Sequence, residues 1–313
     1  MIFRPRFHTL LLSLVAALVA LSSCDLGRIT VGTTSKVLRR GAPAMKREAD
    51  YEMAARAIPG ALKTVESFWT VDPGNANLLT ILTEGYCQYG SGFVEDEWER
   101  AVFAKNLDDA AYHNERATKM FTRCMNYALT SLGARWQKEI FEDSDKVGKL
   151  IASTGSGQRT PMMWAGIALG SIINHNLDSI EIIAHLPTVK AIIARVIEID
   201  SKNPPSDEMM AALPHLVTGM LYSASSVQTG GDPQKAMDAF NKASELTKGK
   251  FLLPQVYLAY RVGRMTRNQQ LFHDTLVKVL NTAPSIWPEQ RLTNEVAHRR
   301  ARRYLAMEKE LFR

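Results

Sequence analysis

The residue with the clearest chemical role is Cys24. It follows Leu21-Ser22-Ser23 and an apolar run from Leu10 to Leu21, and Arg4 and Arg6 precede that run. A basic start, a short apolar segment and small residues before a cleavage point are typical of an export signal. A thiol directly after Leu-Ser-Ser is what attachment of a thioether-linked diacylglycerol requires. We therefore expect cleavage before Cys24 and a lipid on Cys24, with an ordinary secretory signal as the alternative.

Residue patterns for catalysis and cofactor binding do not occur after Cys24. The sequence has no His-Glu-x-x-His, Gly-x-Ser-x-Gly, Cys-x-x-Cys or Gly-x-x-x-x-Gly-Lys-Ser/Thr motif. The six histidines after Cys24 are scattered without the intervals of metal ligands. We therefore expect a protein that is not an enzyme and that has no cofactor and no metal site.

A block rich in glycine and tyrosine is the best candidate for a binding surface. Tyr86 and Tyr89 lie among Gly85, Gly90 and Gly92, although a glycine within a helix costs about 0.5–1 kcal/mol relative to alanine. Aromatic side chains with polar tips are common in ligand cavities and at interfaces. A tight crossing of two helices would also require glycines, and it stays open as the alternative.

We predict that Tyr86, Tyr89 and Trp164 line the inner surface of the domain near its opening. Glu95 and Asp96, which follow the block, are predicted to form the rim of that opening. The simpler interpretation of these two acids is a charged helix start, because acidic side chains near a helix N-terminus are favoured by the helix dipole.

The charge of the chain is mildly basic. The 313 residues carry a net charge of +6, and loss of Arg4 and Arg6 with residues 1–23 lowers it to +4. Nucleic acid is not an expected partner, because an exported lipoprotein rarely meets it. The cluster from Arg299 to Arg303 is predicted to be a solvated helix face, with contact to phospholipid head groups as the alternative.

Three segments are expected along the chain: a signal peptide (1–23), a lipidated tether (24–42) and a helical domain (43–313). The tether shows no sustained apolar period, and a flexible coil of this length would reach about 20–25 Å. From Met45 onward apolar residues recur at helical spacing, and no segment alternates with a period of two. The domain is therefore predicted to be all-α.

Helix-ending prolines suggest repeated helix pairs. Pro73, Pro204 and Pro284 each follow an amphipathic segment, as in the tetratricopeptide repeat. The positions predicted to face inward in three of the helices are Ala61, Val65, Phe68, Phe272, Leu276, Val279, Ala236, Phe240 and Ala243. The remaining helices match the repeat loosely, so we predict a tetratricopeptide-like helix-pair solenoid with degenerate repeats.

Two cysteines remain in the domain, Cys87 and Cys124. Cys87 is predicted near the end of one helix, whereas Cys124 is predicted about 20 residues into a later helix, roughly 30 Å from its start. Simple antiparallel packing would separate them. We therefore predict two buried thiols rather than a disulfide.

The segment from Glu84 to Glu97 resembles the signature of the T-component family of TRAP (tripartite ATP-independent periplasmic) transporters. Four further blocks, in the order of the family, are Ala117 to Leu132, Trp164 to Asn174, Leu186 to Ala191, and Lys250 to Leu253 followed by Pro288 to Leu292. The resemblance extends from about Met45 to the C-terminus. It implies an exported lipoprotein with a tetratricopeptide-like fold that binds the periplasmic solute-binding component of such a transporter, and it suggests a homotrimer.

We therefore expect a non-enzymatic lipoprotein accessory of a TRAP-type solute transporter. Its expected partners are the periplasmic solute-binding protein and a small ligand, with a hydrophobic one among the options. It is expected to face the periplasm, anchored through Cys24 to the inner or outer membrane. The alternative is a lipoprotein scaffold that assembles cell-envelope proteins.

Overall fold

Residues 26–313 are described by a computed structural model. The predicted signal peptide (1–23) and the predicted lipid attachment residue, Cys24, lie outside the described residues. Between residues 26 and 313 the chain forms helices and no strands, which confirms the all-α prediction. No helix in this part of the chain is long and apolar enough to cross a membrane.

The described residues contain 17 α-helices. The first nine are α1 (Leu26–Gly41), α2 (Pro43–Lys46), α3 (Tyr51–Val71), α4 (Ala76–Tyr89), α5 (Glu95–Phe103), α6 (Leu107–Leu132), α7 (Ala134–Glu139), α8 (Ser144–Ala152) and α9 (Arg159–Asn174). The next eight are α10 (Ile180–Ile183), α11 (Leu186–Lys202), α12 (Glu208–Tyr222), α13 (Pro233–Leu246), α14 (Leu253–Tyr257), α15 (Gln269–Asn281), α16 (Arg291–Ala306) and α17 (Glu308–Leu311).

Shorter helical segments of other types join some of these helices. The π-helical segment Gly90–Val94 connects α4 to α5 without a break, and a second one, Leu258–Gly263, continues α14. Four 3₁₀ turns are Ser156–Gln158, Val227–Thr229, Pro284–Ile286 and Pro288–Gln290.

Polar side chains set where many of the helices begin. An Asp, Asn or Ser precedes the first helical residue and accepts a hydrogen bond from a backbone N–H of the first turn, which satisfies a donor that has no partner within the helix. The residues that cap in this way are Asp50, Asn75, Asn106, Asp143, Ser179, Asp207, Asp232 and Asn268.

The long helices pack against one another largely in chain order. The contacts run from α3 to α4, α6, α9, α11, α12 and α13, and then through α14 and α15 to α16. Neighbour-by-neighbour packing of this kind is typical of helix-pair repeats. However, α16 also contacts α2 and α3 near the start of the chain. The array therefore differs from an open solenoid, and the tetratricopeptide-like superhelix stays a prediction.

The predicted inner faces of α13 and α15 are confirmed. Phe240 and Phe272 are fully buried at the centres of these faces. The other buried members are Ala236, Ala243, Leu276 and Val279. The prediction was wrong at Ala61 of α3, which is exposed, because the buried stripe of that helix runs instead through Ala54, Leu62 and Val65.

Most of the predicted tether is a helix rather than a flexible coil. In α1, Val31 and Ser35 are buried against the body, and Asn77 of α4 donates a hydrogen bond to the Ser35 hydroxyl over 3.4 Å. Arg39 lies 3.5 Å from the carboxylate of Glu84. Two buried side chains and these polar contacts are too few to produce a clear apolar period, so the sequence pattern did not reveal the helix.

Cys87 and Cys124 form a disulfide, which corrects the prediction of two free thiols. The cause is the unbroken helical stretch from Ala76 to Phe103, against which α6 packs. Cys87 lies 16 residues before the end of that stretch and Cys124 lies 17 residues after the start of α6. At about 1.5 Å per residue, both are roughly 25 Å from the turn, so antiparallel packing brings them together.

Candidate functional site

An arginine–carboxylate cluster joins α16 to α5 across more than 200 residues of sequence. The Arg299 Nε donates a hydrogen bond to Asp96 Oδ2 over 2.5 Å, and the Arg303 Nη1 donates to Asp96 Oδ1 over 2.6 Å. Arg303 also pairs with Glu99. The side chain of Asp96 has no exposed surface. We call this set of residues, together with Arg300, the clasp.

The arginines of the clasp favour the ionised form of Asp96. Burial alone would raise the pKa of this carboxyl, but the charges and hydrogen bonds of Arg303 and Arg299 lower it below its usual value. Asp96 is therefore a carboxylate at neutral pH. A buried carboxylate needs such partners, because an unpaired charge without contact to water is strongly unfavourable.

Arg300 lies deeper in the clasp and is almost fully buried. Its Nη2 donates to the carbonyl oxygen of Ser91 over 2.6 Å, and its Nη1 donates to the hydroxyl of Tyr257. Ser91 belongs to the π-helical segment between α4 and α5. The carboxylate of Glu95 lies 3.6 Å from Nη2. Arg300 thus connects α16 to both the N-terminal helices and α14.

The prediction that Arg299 to Arg303 form a solvated helix face was wrong for three of the four arginines. Arg299, Arg300 and Arg303 turn toward α5, and only Arg302 is exposed. Residues 299, 300 and 303 share one side of a helix because they are spaced by one, three and four positions. The acids that were predicted to mark a helix start lie instead inside the continuous helical stretch from Ala76 to Phe103, where Glu95, Asp96 and Glu99 supply the partners of these arginines.

An open groove lies beside the clasp, between α5, the first turns of α6 and α16. Its volume is about 660 Å³. The lining residues are Glu97, Arg100, Ala101, Phe103, Ala104, Asn106, Asp109, His113, Arg299, Arg303, Ala306 and Met307. We call it the α5–α16 groove. Its floor includes arginines that the clasp holds in place, whereas Arg100 and Asp109 are exposed to solvent.

Large apolar side chains are exposed next to this groove at the start of α6. Leu107 is 80% exposed and Tyr112 is 58% exposed. The ring of Tyr112 lies 5.1 Å from that of His113, which lines the groove, and the guanidinium of Arg116 lies 5.7 Å from the Tyr112 ring. Polar, basic and apolar groups are therefore available together on one surface.

The five predicted binding residues are not brought together into one cavity. Tyr86 is buried, and its hydroxyl donates to Glu66 Oε1 over 2.7 Å, beside Tyr127, which binds the same oxygen. Trp164 is buried on α9, and its indole nitrogen has no hydrogen-bond partner. Neither residue lines the α5–α16 groove.

The other three predicted residues lie near the clasp. The buried ring of Tyr89 stacks on Phe93, 5.4 Å away, and Phe93 in turn lies against Tyr51. Glu95 contacts His175 at 3.1 Å and is only slightly exposed. The structure corrects the expectation that Glu95 and Asp96 form an exposed rim, because Asp96 is fully enclosed. Roles of these residues in ligand or partner binding stay predictions.

Close helix packing accounts for two of the glycines in this block. A Cβ atom added to Gly85 would lie 2.4 Å from Leu62 Cδ2, and one added to Gly90 would lie 3.1 Å from two carbons of the Phe121 ring. A Cβ on Gly92 would meet its nearest neighbour, Val296, at an ordinary 3.6 Å. The tight crossing of helices, which the sequence left open as an alternative, therefore explains Gly85 and Gly90.

Sequence reasoning missed the α5–α16 groove and the buried arginine within the clasp. The available signal was the pairing of a strongly acidic segment, Glu95 to Glu99, with a strongly basic one, Arg299 to Arg303. Nothing within either segment alone indicates that the two pair with each other. Among the described residues, no group of three or more His, Cys, Asp and Glu side chains could hold a metal ion.

The fold and the groove define an all-α protein of sequentially packed helices, closed by an ionic clasp and carrying an open groove on its surface. A family model described as "TRAP transporter T-component" matches residues 47–312, so the chain belongs to this family. The family is an accessory component of a transporter, which indicates a non-enzymatic accessory role in a TRAP transporter. An uncharacterized protein of Treponema pallidum (strain Nichols) is 24% identical over 268 residues, covering 82% of this chain and 78% of the relative.

Proposed function

We propose that this protein is an exported, lipid-anchored accessory of a TRAP transporter that binds the periplasmic solute-binding protein through the α5–α16 groove. The proposal depends on the family match over residues 47–312 and on one structural observation. That observation is an open groove with a fixed ionic floor and exposed aromatic and charged residues at its edge.

Two features support a location outside the cytoplasm. The Cys87–Cys124 disulfide is of a kind that persists in oxidising compartments and is rare where thiols are kept reduced. Cys24 supplies the thiol that lipid attachment requires, and it directly follows Leu21-Ser22-Ser23 at the end of the expected export signal. A lipid on Cys24 would hold the protein at the inner or outer membrane, facing the periplasm.

The composition of the groove supports a protein partner. Aromatic residues, Met and Arg are enriched at protein interfaces, and this surface offers Tyr112, Phe103, Met307 and Arg100. Binding requires little rearrangement when the surface is already held in place. The clasp supplies that rigidity, because Arg299 and Arg303 belong both to the clasp and to the groove.

A small ligand is the second use of this groove that its size supports. A volume of about 660 Å³ falls within the range of about 300–1,000 Å³ common for small-molecule sites. The lining carries both charges and apolar carbon, so an amphipathic solute fits its chemistry better than a purely hydrophobic one. In this arrangement the groove would receive solute from the bound partner. A homotrimer stays a prediction from the family resemblance.

The test is calorimetric titration of the full-length lipidated protein, in detergent, with the periplasmic solute-binding protein of a TRAP transporter from the same organism. We expect saturable binding, weakened about tenfold or more by Tyr112→Ala or Arg100→Ala, because truncation of interface anchors costs about 1.4 kcal/mol or more. Lys242→Ala on α13 is the matched control, since the side chain of Lys242 is 44% exposed and does not line the groove.

Unchanged affinity in both groove variants would contradict the assignment of the groove. Absence of any binding to the solute-binding protein, together with cross-linking in cells to envelope-assembly proteins, would favour the scaffold function instead.

A further inference from the structure

The outward face of α1 carries large apolar side chains that the body leaves uncovered. Leu26, Ile29 and Val37 are 74%, 56% and 65% exposed. They are separated by three and eight residues, which places them on one side of the helix. Val31 and Ser35 lie on the opposite side and are buried against the body.

The charge of α1 is entirely positive. The helix contains Arg28, Lys36, Arg39 and Arg40 and no acidic residue. Arg39 turns inward toward Glu84. Lys36 and Arg40 are exposed. At 3.6 residues per turn, Lys36 lies at one edge of the apolar side and Arg40 lies on that side, between Ile29 and Val37. Exposed apolar residues accompanied by lysine and arginine are typical of helices that lie on anionic membrane surfaces.

The position of α1 in the chain identifies what this face meets. Leu26 is two residues after Cys24, and two residues span at most about 7 Å. A diacylglycerol on Cys24 would therefore hold the first turn of α1 at the level of the lipid head groups. No other surface is brought so close by the covalent structure.

We propose that α1 is an interfacial helix, docked on anionic phospholipid with Leu26, Ile29 and Val37 toward the acyl chains. This inference rests on lipid attachment to Cys24, which is part of the proposed function. Because α1 packs against α3 and α4, docking would fix the orientation of these helices above the bilayer. The domain would then present its partner surface at a set height rather than swing on a flexible tether.

The test uses a single fluorescent probe at Val37→Cys in the full-length lipidated protein, reconstituted into vesicles of phosphatidylcholine and phosphatidylglycerol. The native cysteines do not react with the probe, because Cys87 and Cys124 are joined and Cys24 would carry the lipid. The matched control is Lys242→Cys on α13, which α4, α6, α9, α11 and α12 separate from α1 in the packed series.

We expect nitroxide groups on the lipid chains to quench the probe at position 37 and not the probe at position 242. Each basic residue near an anionic surface strengthens binding about fivefold. Lys36→Gln and Arg40→Gln should therefore each reduce the fraction of docked α1, and vesicles of phosphatidylcholine alone should have the same effect.

Three results would overturn the proposal, and mass spectrometry of the Cys24 peptide distinguishes the first from the second. With lipid on Cys24 and no quenching at position 37, α1 does not dock and the proposed function stands. Without lipid on Cys24, the docking proposal and the anchored part of the proposed function fail together. If the probe at position 37 is already shielded without vesicles and cross-links between two copies of the chain, a protein interface covers this face instead.

Discussion

Replacement of Asp96 by asparagine should weaken the contact that closes the helical array. The variant keeps the size of the side chain but removes the charge that two arginines share. Each hydrogen bond to a charged partner contributes about 1.5–3 kcal/mol when buried, and removal of one member of a buried ion pair costs about 3–5 kcal/mol. The asparagine side chain would retain one acceptor oxygen, and Arg299 is partly exposed to water. We therefore expect a loss of about 3 kcal/mol in the free energy of unfolding.

The measurement is urea unfolding followed by far-ultraviolet circular dichroism, with the disulfide kept oxidised. Glu115→Gln is the matched control, because Glu115 pairs with Lys119 on the exposed surface of α6, where such a pair contributes about 0.5 kcal/mol or less. A double-mutant cycle of Asp96→Asn with Arg303→Met should show a coupling energy of about 1 kcal/mol or more. Equal small losses for Asp96→Asn and Glu115→Gln would refute the claim that the clasp stabilises the closed array.

The ion pairs of Asp96 with Arg299 and Arg303 predict that the free energy of unfolding depends on pH. The pKa of Asp96 is lowered in the folded protein, relative to about 3.9 for an unfolded aspartate. The stabilisation from its ionised form is therefore complete above about pH 4 and is lost as the pH falls through the lower folded pKa. The difference in stability between the native protein and Asp96→Asn should be constant near neutrality and should shrink only under acidic conditions. A difference that shrinks between about pH 5 and pH 7 would contradict this assignment.

Three further predictions concern other parts of the chain. Gly219→Ala should destabilise the α12–α13 contact, because its Cβ would lie 2.5 Å from the Phe240 ring; the double variant with Phe240→Ala should be more stable than the sum of the two losses implies, as measured by urea unfolding. Replacement of Cys87 and Cys124 by serine should cost about 2–4 kcal/mol, read from the thermal midpoint, and an unchanged midpoint would contradict a structural role for the bond. Cys24→Ala should leave the protein unprocessed or in the aqueous phase on detergent partitioning, and a processed variant in the detergent phase would contradict lipid attachment at this residue.

Local signals predicted α13 well. Asp232 caps the helix, Pro233 occupies its first position, and Ala236, Phe240 and Ala243 recur at helical spacing. All of these features act within one helix, so the sequence pattern contains them in full. The face of α13 formed by Ala236, Phe240 and Ala243 is buried, as predicted.

The clasp could not be predicted in this way, because its partners are more than 200 residues apart. A run of arginines on a helix looks the same whether the helix faces water or a row of carboxylates. The environment is decided by the packing of α16 against helices near the start of the chain. That packing depends on the positions of all the helices between them. The groove exists because α16 packs near α5 and α6. Its position therefore could not be predicted from local sequence either.

The disulfide and α1 are two other features that the sequence pattern could not predict. The π-helical segment Gly90–Val94 makes α4 and α5 one continuous stretch, whereas the sequence pattern predicted that one helix ends near Cys87 and another starts near Glu95. That difference alone moves Cys87 from a helix end to a point opposite Cys124. In α1, the buried residues are Val31 and Ser35, whereas Leu26, Ile29 and Val37 are exposed. Tertiary contacts rather than a periodic buried pattern therefore define this helix.

The central claim is that the α5–α16 groove binds the solute-binding protein of a TRAP transporter. Hydrogen–deuterium exchange of the full-length protein, with and without that partner, tests it most directly. We predict slower exchange on binding at the end of α5, in the first turns of α6 around Tyr112 and in the last turns of α16, with exchange in α13 unchanged. Protection confined to other helices, or no protection at saturating partner, would contradict the claim.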